Sequence, residues 1–156
     1  MPTAGKTTRG LNMGAVVVKE EVCMGCGLCQ VYCLTEHSQT KDIVKAYKKE
    51  APRPLPRVRV ERWNGAWFSL QCRHCAEPRC VYACLTGAMS RNSESGVVTA
   101  DDEKCLGCGT CMLACPYGVL TRDTEHSVVV KCDLCPGKDT PICVANCPNE
   151  ALSVIE

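Results

Sequence analysis

Short runs of β-branched residues recur along the chain between polar and glycine-containing stretches. They occupy residues 16–18, 97–99 and 128–130, and each leads into a loop with several cysteines. Runs of this length and composition predict β-strands. After the third cysteine of each loop, the spacing predicts a short helical turn that carries the next cysteine. We therefore predict an α+β fold built from small elements.

The segment 36–67 follows a different pattern. Residues 40–50 place apolar side chains at helical spacing and predict a short helix. Three prolines between residues 52 and 56 then impose an extended path, and alternating valines after them predict an edge strand. Trp63 and Trp67 lie at the end of this segment. We predict an insert that either covers the rest of the protein or docks a partner, since tryptophan is a favoured anchor at interfaces.

Composition narrows the class of protein. Of 156 residues, 16 are cysteine, whereas only two Trp, four Tyr and one Phe are present, so an ordinary hydrophobic core would be small. No apolar run reaches the length of a membrane span, and the net charge of +1 does not favour nucleic-acid binding. No secretory signal is visible, so we expect a cytoplasmic protein without direct membrane insertion; export with a signal-bearing partner is the alternative. Residues 1–13 predict a flexible or docking arm.

The cysteines fall into four groups of four. The first and third groups share the spacing C-x2-C-x2-C-x3-C, whereas the second is C-x2-C-x4-C-x3-C and the fourth is C-x2-C-x7-C-x3-C. Residues 14–33 match residues 96–115 at a constant offset, and the second group resembles the fourth, so the chain contains an internal repeat. In chain order the groups are Cys23, Cys26, Cys29 and Cys33; Cys72, Cys75, Cys80 and Cys84; Cys105, Cys108, Cys111 and Cys115; and Cys132, Cys135, Cys143 and Cys147.

The spacing favours iron–sulfur clusters over other uses of cysteine. Two C-x2-C pairs within seven residues cannot easily form disulfides without strain, and structural zinc sites use separated pairs. Three thiolates in a tight loop, with a fourth three residues later, are typical of [4Fe–4S] ferredoxins, in which the fourth cysteine binds the other cluster. Because glycine lets the backbone pass close to such a cofactor, we predict that four glycines contribute to cofactor binding. They are Gly25, Gly27, Gly107 and Gly109.

Sixteen ligands predict four [4Fe–4S] clusters, but the spacing leaves two pairings open. In the nested pairing, the second and third groups exchange their fourth cysteines, and so do the first and fourth groups. In the sequential pairing, the first group exchanges with the second and the third with the fourth. We favour the nested pairing because residues 68–118 form one uninterrupted ferredoxin-like unit. Its ligand sets are Cys23, Cys26, Cys29 and Cys147 for cluster 1; Cys33, Cys132, Cys135 and Cys143 for cluster 2; Cys72, Cys75, Cys80 and Cys115 for cluster 3; and Cys84, Cys105, Cys108 and Cys111 for cluster 4.

The nested pairing also predicts the domain organisation. Residues 14–35 and 119–156 would form lobe 1 and residues 68–118 lobe 2, two bacterial-ferredoxin-like lobes related by a pseudo-twofold axis. Residues 36–67 would connect the lobes. An oxidised cube with its four thiolates carries about −2, so four cubes would bring the charge of the chain from +1 to about −7.

In their order and spacing, the four motifs resemble the four-cluster ferredoxin-type subunits of respiratory and fermentative oxidoreductases. The resemblance covers residues 14–155 and is carried by the strings CRHC, CLGCGTCMLACPYGVL, KCDLC and PICVANCP. This family includes the iron–sulfur subunits of dimethyl sulfoxide reductase and formate dehydrogenase, the ferredoxin-like subunit of formate hydrogenlyase, the ferredoxin that serves carbon monoxide dehydrogenase, and the small subunit of tungsten aldehyde oxidoreductases. The resemblance implies the nested pairing and a near-linear row of clusters. It also implies that the cluster of the first cysteine group faces the catalytic subunit, with that of the third group at the far end.

The resemblance further implies an electron relay that performs no substrate chemistry by itself. The expected partner is a catalytic oxidoreductase subunit, with the molybdopterin or tungstopterin type favoured over a hydrogenase or carbon monoxide dehydrogenase. A flavin- or NAD-linked subunit is a further candidate partner. A freely diffusing polyferredoxin carrier and a zinc-binding structural protein are the alternatives.

A few other side chains carry expectations. His74, between the first two cysteines of the second group, is expected to hydrogen-bond a sulfur or to tune a cluster through its charge. His37 and His126 are expected at the surface. Lys131 is expected to be an ordinary solvated charge, and Tyr82 is expected to pack against a cluster.

Overall fold

The structure, a computed structural model, describes residues 14–155, and the predicted arm at residues 1–13 lies outside them. The described part combines five short helices with eight short strands. The helices are α1 (Leu28–Glu36), α2 (Ile43–Lys48), α3 (Arg79–Tyr82), α4 (Thr110–Ala114) and α5 (Ile142–Ala145). The strands are β1 (Ala15–Val18), β2 (Arg59–Trp63), β3 (Ala66–Leu70), β4 (Met89–Arg91), β5 (Val98–Ala100), β6 (Thr121–Asp123), β7 (Val128–Val130) and β8 (Leu152–Ile155). The predicted mixture of helix and strand is confirmed.

The strands form four antiparallel pairs. Three of them, β2–β3, β4–β5 and β6–β7, join neighbours along the chain. The fourth joins β1 to β8, with Ala15 opposite Ile155 and Val18 opposite Leu152. The helices also pack in pairs. Helix α1, near the start of the described chain, packs against α5, near its end, and α3 packs against α4. In the described part, no helix is both long enough and apolar enough to cross a bilayer.

Each cysteine-containing helix begins one residue before the third cysteine of its group and continues past it, so the predicted helical turn is present, but it carries the fourth cysteine in α1 alone among these helices. Gly27 and Gly109 precede α1 and α4 with φ of 76°, a left-handed conformation that glycine adopts without steric cost. Only α1 is long enough to contain the fourth cysteine. Helix α4 ends before Cys115, which is extended with ψ of 115°, because a residue that precedes proline disfavours helical geometry.

Cysteine is a main component of the core. The buried apolar residues number 19 among those described, and six of them are cysteines, whereas none is aromatic. One buried cluster joins Cys72, Cys111 and Cys132 to Met89 and Leu120, and a second joins Cys143 to apolar residues of β1 and β8. Apolar side chains alone therefore give this chain little buried surface with which to offset the entropy of folding.

Candidate metal centres

Three cysteines of the third group surround a cavity together with one cysteine of the second group. This cavity opens to solvent and is lined by Cys84, Cys105, Cys108 and Cys111. The start of α4 brings Cys111 into the cavity wall. Burial raises the pKa of the Cys111 thiol, and the neighbouring thiols of Cys84 and Cys105 add to this rise.

A second cavity lies at the first group. It opens to solvent and is lined by Cys23, Cys26, Cys29 and Cys147. Burial raises the pKa of the Cys29 thiol to about 11. The other three thiols of the cavity raise it further by charge repulsion. Residues near the two ends of the described chain therefore share one site, as the pairing of β1 with β8 requires.

The remaining cysteines form two further neighbourhoods. Burial raises the pKa of the Cys143 thiol to about 12, and the thiols of Cys132, Cys33 and Cys135 add to the rise. Burial likewise raises the pKa of the Cys80 thiol to about 11, with contributions from Cys72 and Cys115. The pKa of the Cys75 thiol is raised by burial and by the same two neighbours. Each of the four neighbourhoods contains the cysteines that the nested pairing assigns to one cluster, and binding of a cluster in each of them stays a prediction.

The chemistry of these neighbourhoods fits a cationic metal cluster. Thiolate is the form that binds metal, and the raised pKa values of the buried thiols indicate that these thiols resist deprotonation without a cation. Iron would supply that positive charge. Backbone N–H groups already point at ligand sulfurs, as electron-rich clusters require. They run from Arg57 to Cys33 at 3.2 Å, from His74 to Cys72 at 3.4 Å, from Met89 to Cys84 at 3.4 Å and from Gly107 to Cys105 at 3.5 Å.

Two of the predicted glycines have a steric role in addition to any contact with a cofactor. A Cβ atom on Gly25 would overlap the ring of Trp67, and one on Gly107 would overlap the carbonyl of Ser127. The insert thus lays Trp67 directly over the first cysteine loop. Gly27 has the same left-handed conformation as Gly25, but nothing lies within 4 Å of its Cβ position.

We expect Gly25→Ala to destabilise the loaded protein more than Gly27→Ala does. Both substitutions place alanine at positive φ, which costs roughly 1–2 kcal/mol, but only Gly25→Ala adds the collision with Trp67, for about 1–3 kcal/mol more. The measurement is the guanidinium concentration at which half of the visible cluster absorbance is lost. Adding Trp67→Leu to Gly25→Ala should restore most of the difference. Equal midpoints for the two alanine variants would mean that the ring of Trp67 can move aside.

His37 is half-buried, with 14% of its side chain exposed, and it is bound to other side chains, so the prediction of an isolated surface histidine is wrong. Its Nε2 contacts Asp133 Oδ1 at 3.2 Å, and Arg57 donates to the other oxygen of the same carboxylate at 2.5 Å. Burial lowers the pKa of His37, but the hydrogen bond to Asp133 opposes this effect, and the pKa is raised to about 9. This group ties the insert to the fourth cysteine group. His126, by contrast, is exposed as predicted.

Three further expectations change. His74 is fully buried, and its Nδ1 accepts the backbone N–H of Val98 at 3.0 Å. Burial lowers the pKa of His74 to about 3, which disfavours the predicted tuning charge. The predicted alternative, a hydrogen bond to a sulfur, is formed by the backbone N–H of His74, which donates to Cys72 Sγ at 3.4 Å. Lys131 is 2% exposed, so the prediction of a solvated charge is also wrong. Tyr82 is 74% exposed and does not pack against a cluster site. No local sequence signal marks Lys131, because its burial depends on contacts with a distant segment.

The fold and these thiol-lined centres define an iron–sulfur protein of the electron-transfer class. A family model described as a 4Fe-4S dicluster domain matches residues 63–156, and one described as a 4Fe-4S binding domain matches residues 20–36. The chain belongs to this 4Fe-4S ferredoxin-type family of electron-transfer subunits and binds multiple [4Fe–4S] clusters.

Curated relatives include subunits of larger enzymes. The polyferredoxin-like subunit of aliphatic sulfonate oxidoreductase from Pyrococcus furiosus is 36% identical over 90% of this chain and 76% of its own length. The subunit beta of NADH-dependent phenylglyoxylate dehydrogenase from Aromatoleum evansii is 36% identical over 85% of this chain. Two of the curated relatives are much longer than this chain, which spans 21% of one and 28% of the other.

A solved structure shares the fold. A chain of the active site complex BamBC of benzoyl coenzyme A reductase, as isolated, superposes with a TM-score of 0.50. The match covers 91% of this chain and 76% of that chain at 24% identity. At this identity the likeness concerns the fold alone.

Proposed function

We propose that this protein relays single electrons through four [4Fe–4S] clusters between a catalytic oxidoreductase subunit and a second donor or acceptor subunit. It performs no substrate chemistry by itself. The observation that carries the proposal is the division of all 16 cysteines into four neighbourhoods of four thiols, with none left over. One neighbourhood per cube gives four cubes, and the cofactor then supplies the redox chemistry while the chain supplies ligands and insulation.

Contacts between the neighbourhoods support a row in the order 1, 2, 3, 4. Burial and the other thiols of cluster 2 raise the pKa of Cys143 most. Cys29 of cluster 1 is close enough to raise the pKa of Cys143 further. Cys132 of cluster 2 shares a buried cluster with Cys72 of cluster 3. The same buried cluster contains Cys111 of cluster 4. Neighbouring cubes in such a row would pass electrons one at a time.

The two ends of this row are the places at which ligand cysteines are exposed. Cys26 of cluster 1 and Cys108 of cluster 4 are exposed, whereas every ligand proposed for clusters 2 and 3 is buried or half-buried. Exposed apolar side chains accompany both ends, with Met24 at 58% and Leu106 at 74% exposure. Exposure of this kind suits entry and exit of electrons at partner subunits.

The pairing of helices and the pairing of strands support two ferredoxin-like lobes. Helices α1 and α5 and strands β1 and β8 would enclose clusters 1 and 2, and helices α3 and α4 with β4 and β5 would enclose clusters 3 and 4. The β6–β7 hairpin also contributes Val129 to the wall of the cluster 4 cavity. The boundary between the lobes therefore involves this hairpin, and the insert at residues 36–67 lies against lobe 1 through Arg57 and Trp67.

The names of the relatives support an oxidoreductase partner. Both relatives described above are subunits of enzymes that oxidise or reduce small organic substrates. We favour a catalytic partner of the molybdopterin or tungstopterin type, with a flavin- or NAD-linked subunit as the second contact. Trp63, on the insert and 71% exposed, is the docking anchor that we propose. The cytoplasmic location stays a prediction.

Metal analysis of the anaerobically purified chain tests the proposal directly. We expect about 16 irons and about 16 acid-labile sulfides per chain, because each [4Fe–4S] cube contains four of each. Zinc without sulfide would contradict the proposal and favour a structural zinc protein.

Size-exclusion chromatography of native extract then separates a subunit from a free carrier, since a subunit elutes with a larger enzyme. If Trp63 anchors the partner, Trp63→Ala should weaken this co-elution without loss of iron; elution of the unaltered chain alone would favour the carrier.

A further inference from the structure

The side chain of Lys131 lies in the interior between cysteine groups. Its ammonium donates hydrogen bonds to the carbonyl oxygens of Val98 and Cys132, the latter at 2.5 Å. Lysine is rarely buried to this extent without a paired charge. Within residues 14–155, Lys131 forms no ion pair with a carboxylate; Asp133, two residues away, is paired with Arg57 and His37 instead. The positive charge of Lys131 is therefore not cancelled by a nearby carboxylate.

The thiols around this charge belong to the two inner clusters. Lys131 directly precedes Cys132 of cluster 2, and its ammonium donates to the carbonyl of Cys132. Cys132 shares a buried cluster with Cys72 of cluster 3, and Cys80 of cluster 3 packs against the same buried cluster. One ammonium thus lies beside cysteines of two different clusters.

The peptide groups of Val98 hold this arrangement in place. The N–H of Val98 donates to His74 Nδ1, while the carbonyl of Val98 accepts from the Lys131 ammonium. Val98 and His74 are both fully buried. Because the backbone N–H of Val98 donates to it, the Nδ1 atom of His74 acts as an acceptor. Val98 therefore connects the ring of His74 to the ammonium of Lys131.

We propose that Lys131 is a positioning residue whose buried charge raises the reduction potentials of clusters 2 and 3; the inference rests on the four-cluster function proposed above. When an inner cluster accepts one electron from a neighbouring reduced cluster, its charge becomes one unit more negative and that of the donor one unit less negative. No bond forms or breaks, and no proton moves. A nearby cation lowers the free energy of the more negative form, and it does so more strongly in a poorly solvated interior than at the surface.

A second lysine that directly precedes a cysteine group provides a matched control. Lys104 directly precedes Cys105 of cluster 4, as Lys131 precedes Cys132 of cluster 2. The side chain of Lys104 is 64% exposed and pairs with Asp101 at 2.9 Å. Water and the carboxylate screen its charge, so the same substitution at this position should have little effect on a potential.

The test is a potentiometric titration followed by electron paramagnetic resonance (EPR) on anaerobically purified variants. Lys131→Gln keeps a donor for the two carbonyls but removes the charge. We expect Lys131→Gln to lower the midpoint potentials of two of the four clusters by about 59 mV or more. For one electron this shift is a tenfold change in the reduction equilibrium. Lys131→Arg should retain the original potentials, and Lys104→Gln should leave all four potentials unchanged.

Iron content separates the possible failures. Unchanged potentials in Lys131→Gln with full iron and sulfide would overturn the role of Lys131 and leave the four-cluster function intact. Fewer than four clusters in the unaltered protein would overturn the proposed function itself. If Lys131→Gln and Lys131→Met both lose their clusters while Lys131→Arg keeps them, the lysine is needed for assembly, and the tuning role is rejected.

Discussion

Replacing Cys26 and Cys147 together by alanine should remove a single cluster. In the nested pairing both residues are ligands of cluster 1, and the structure places both in the wall of one cavity. We expect the iron content to fall from about 16 to about 12 per chain, and the other three clusters to keep four thiolates each. The measurement is iron and sulfide analysis combined with EPR of the oxidised protein, which should show no [3Fe–4S] signal.

The matched variant replaces Cys26 and Cys84. These residues belong to different clusters in the nested pairing but to the same cluster in the sequential pairing. We expect two damaged clusters, seen either as a fall to about 8 irons or as two [3Fe–4S] signals per chain. The sequential pairing predicts the reverse outcome for the two double variants. The nested pairing would be rejected if substitution of Cys26 and Cys84 removed one cluster while substitution of Cys26 and Cys147 removed two.

Removal of iron should unfold most of the described chain. Six of its 19 buried apolar residues are cysteines, and the largest of the others are Met89, Leu120 and Leu152. Without iron, the thiol clusters would leave gaps in this core, and the short helices could not persist, because isolated helices of four to nine residues are unstable in water. For such proteins the free energy of metal binding is also the free energy of folding.

The measurement is far-UV circular dichroism after oxidant and chelator have removed the clusters anaerobically. We expect the helical signal to be largely lost and to return when iron and sulfide are added back with a reductant. Chelator without oxidant is the control, since intact clusters should resist it. A cluster-free protein that keeps its helical signal would show that the apolar side chains suffice for the fold.

Local features of the chain were predictable from its sequence, because they depend on neighbours a few residues apart. The runs at residues 16–18, 97–99 and 128–130 lie in strands or begin within one residue of them. The helix at residues 40–50 is present as α2, where the Asp42 side chain accepts the backbone N–H of Lys45 at 2.8 Å. Such a cap joins residues only three positions apart, so it can be predicted from the sequence.

The interactions that were not predicted join segments far apart along the chain. His37 reaches Asp133, and Lys131 reaches the carbonyl of Val98, and in neither case does local spacing indicate the partner. Strand β8 is a similar case, since its pairing with β1 depends on how the cysteine groups meet in three dimensions. The same limit applies to the cluster pairing, which spacing alone leaves open.

The pairing of β1 with β8 has a consequence for biogenesis. A chain is made from its N-terminus, so residues 68–118 leave the ribosome with all of the cysteines of the second and third groups well before β8 exists. If the nested pairing is correct, the first cysteine group is completed only when Cys147 and strand β8 have been made. During this interval Cys23, Cys26 and Cys29 are open to oxygen and to adventitious metals. On the nested pairing we therefore expect this site to receive its cluster last.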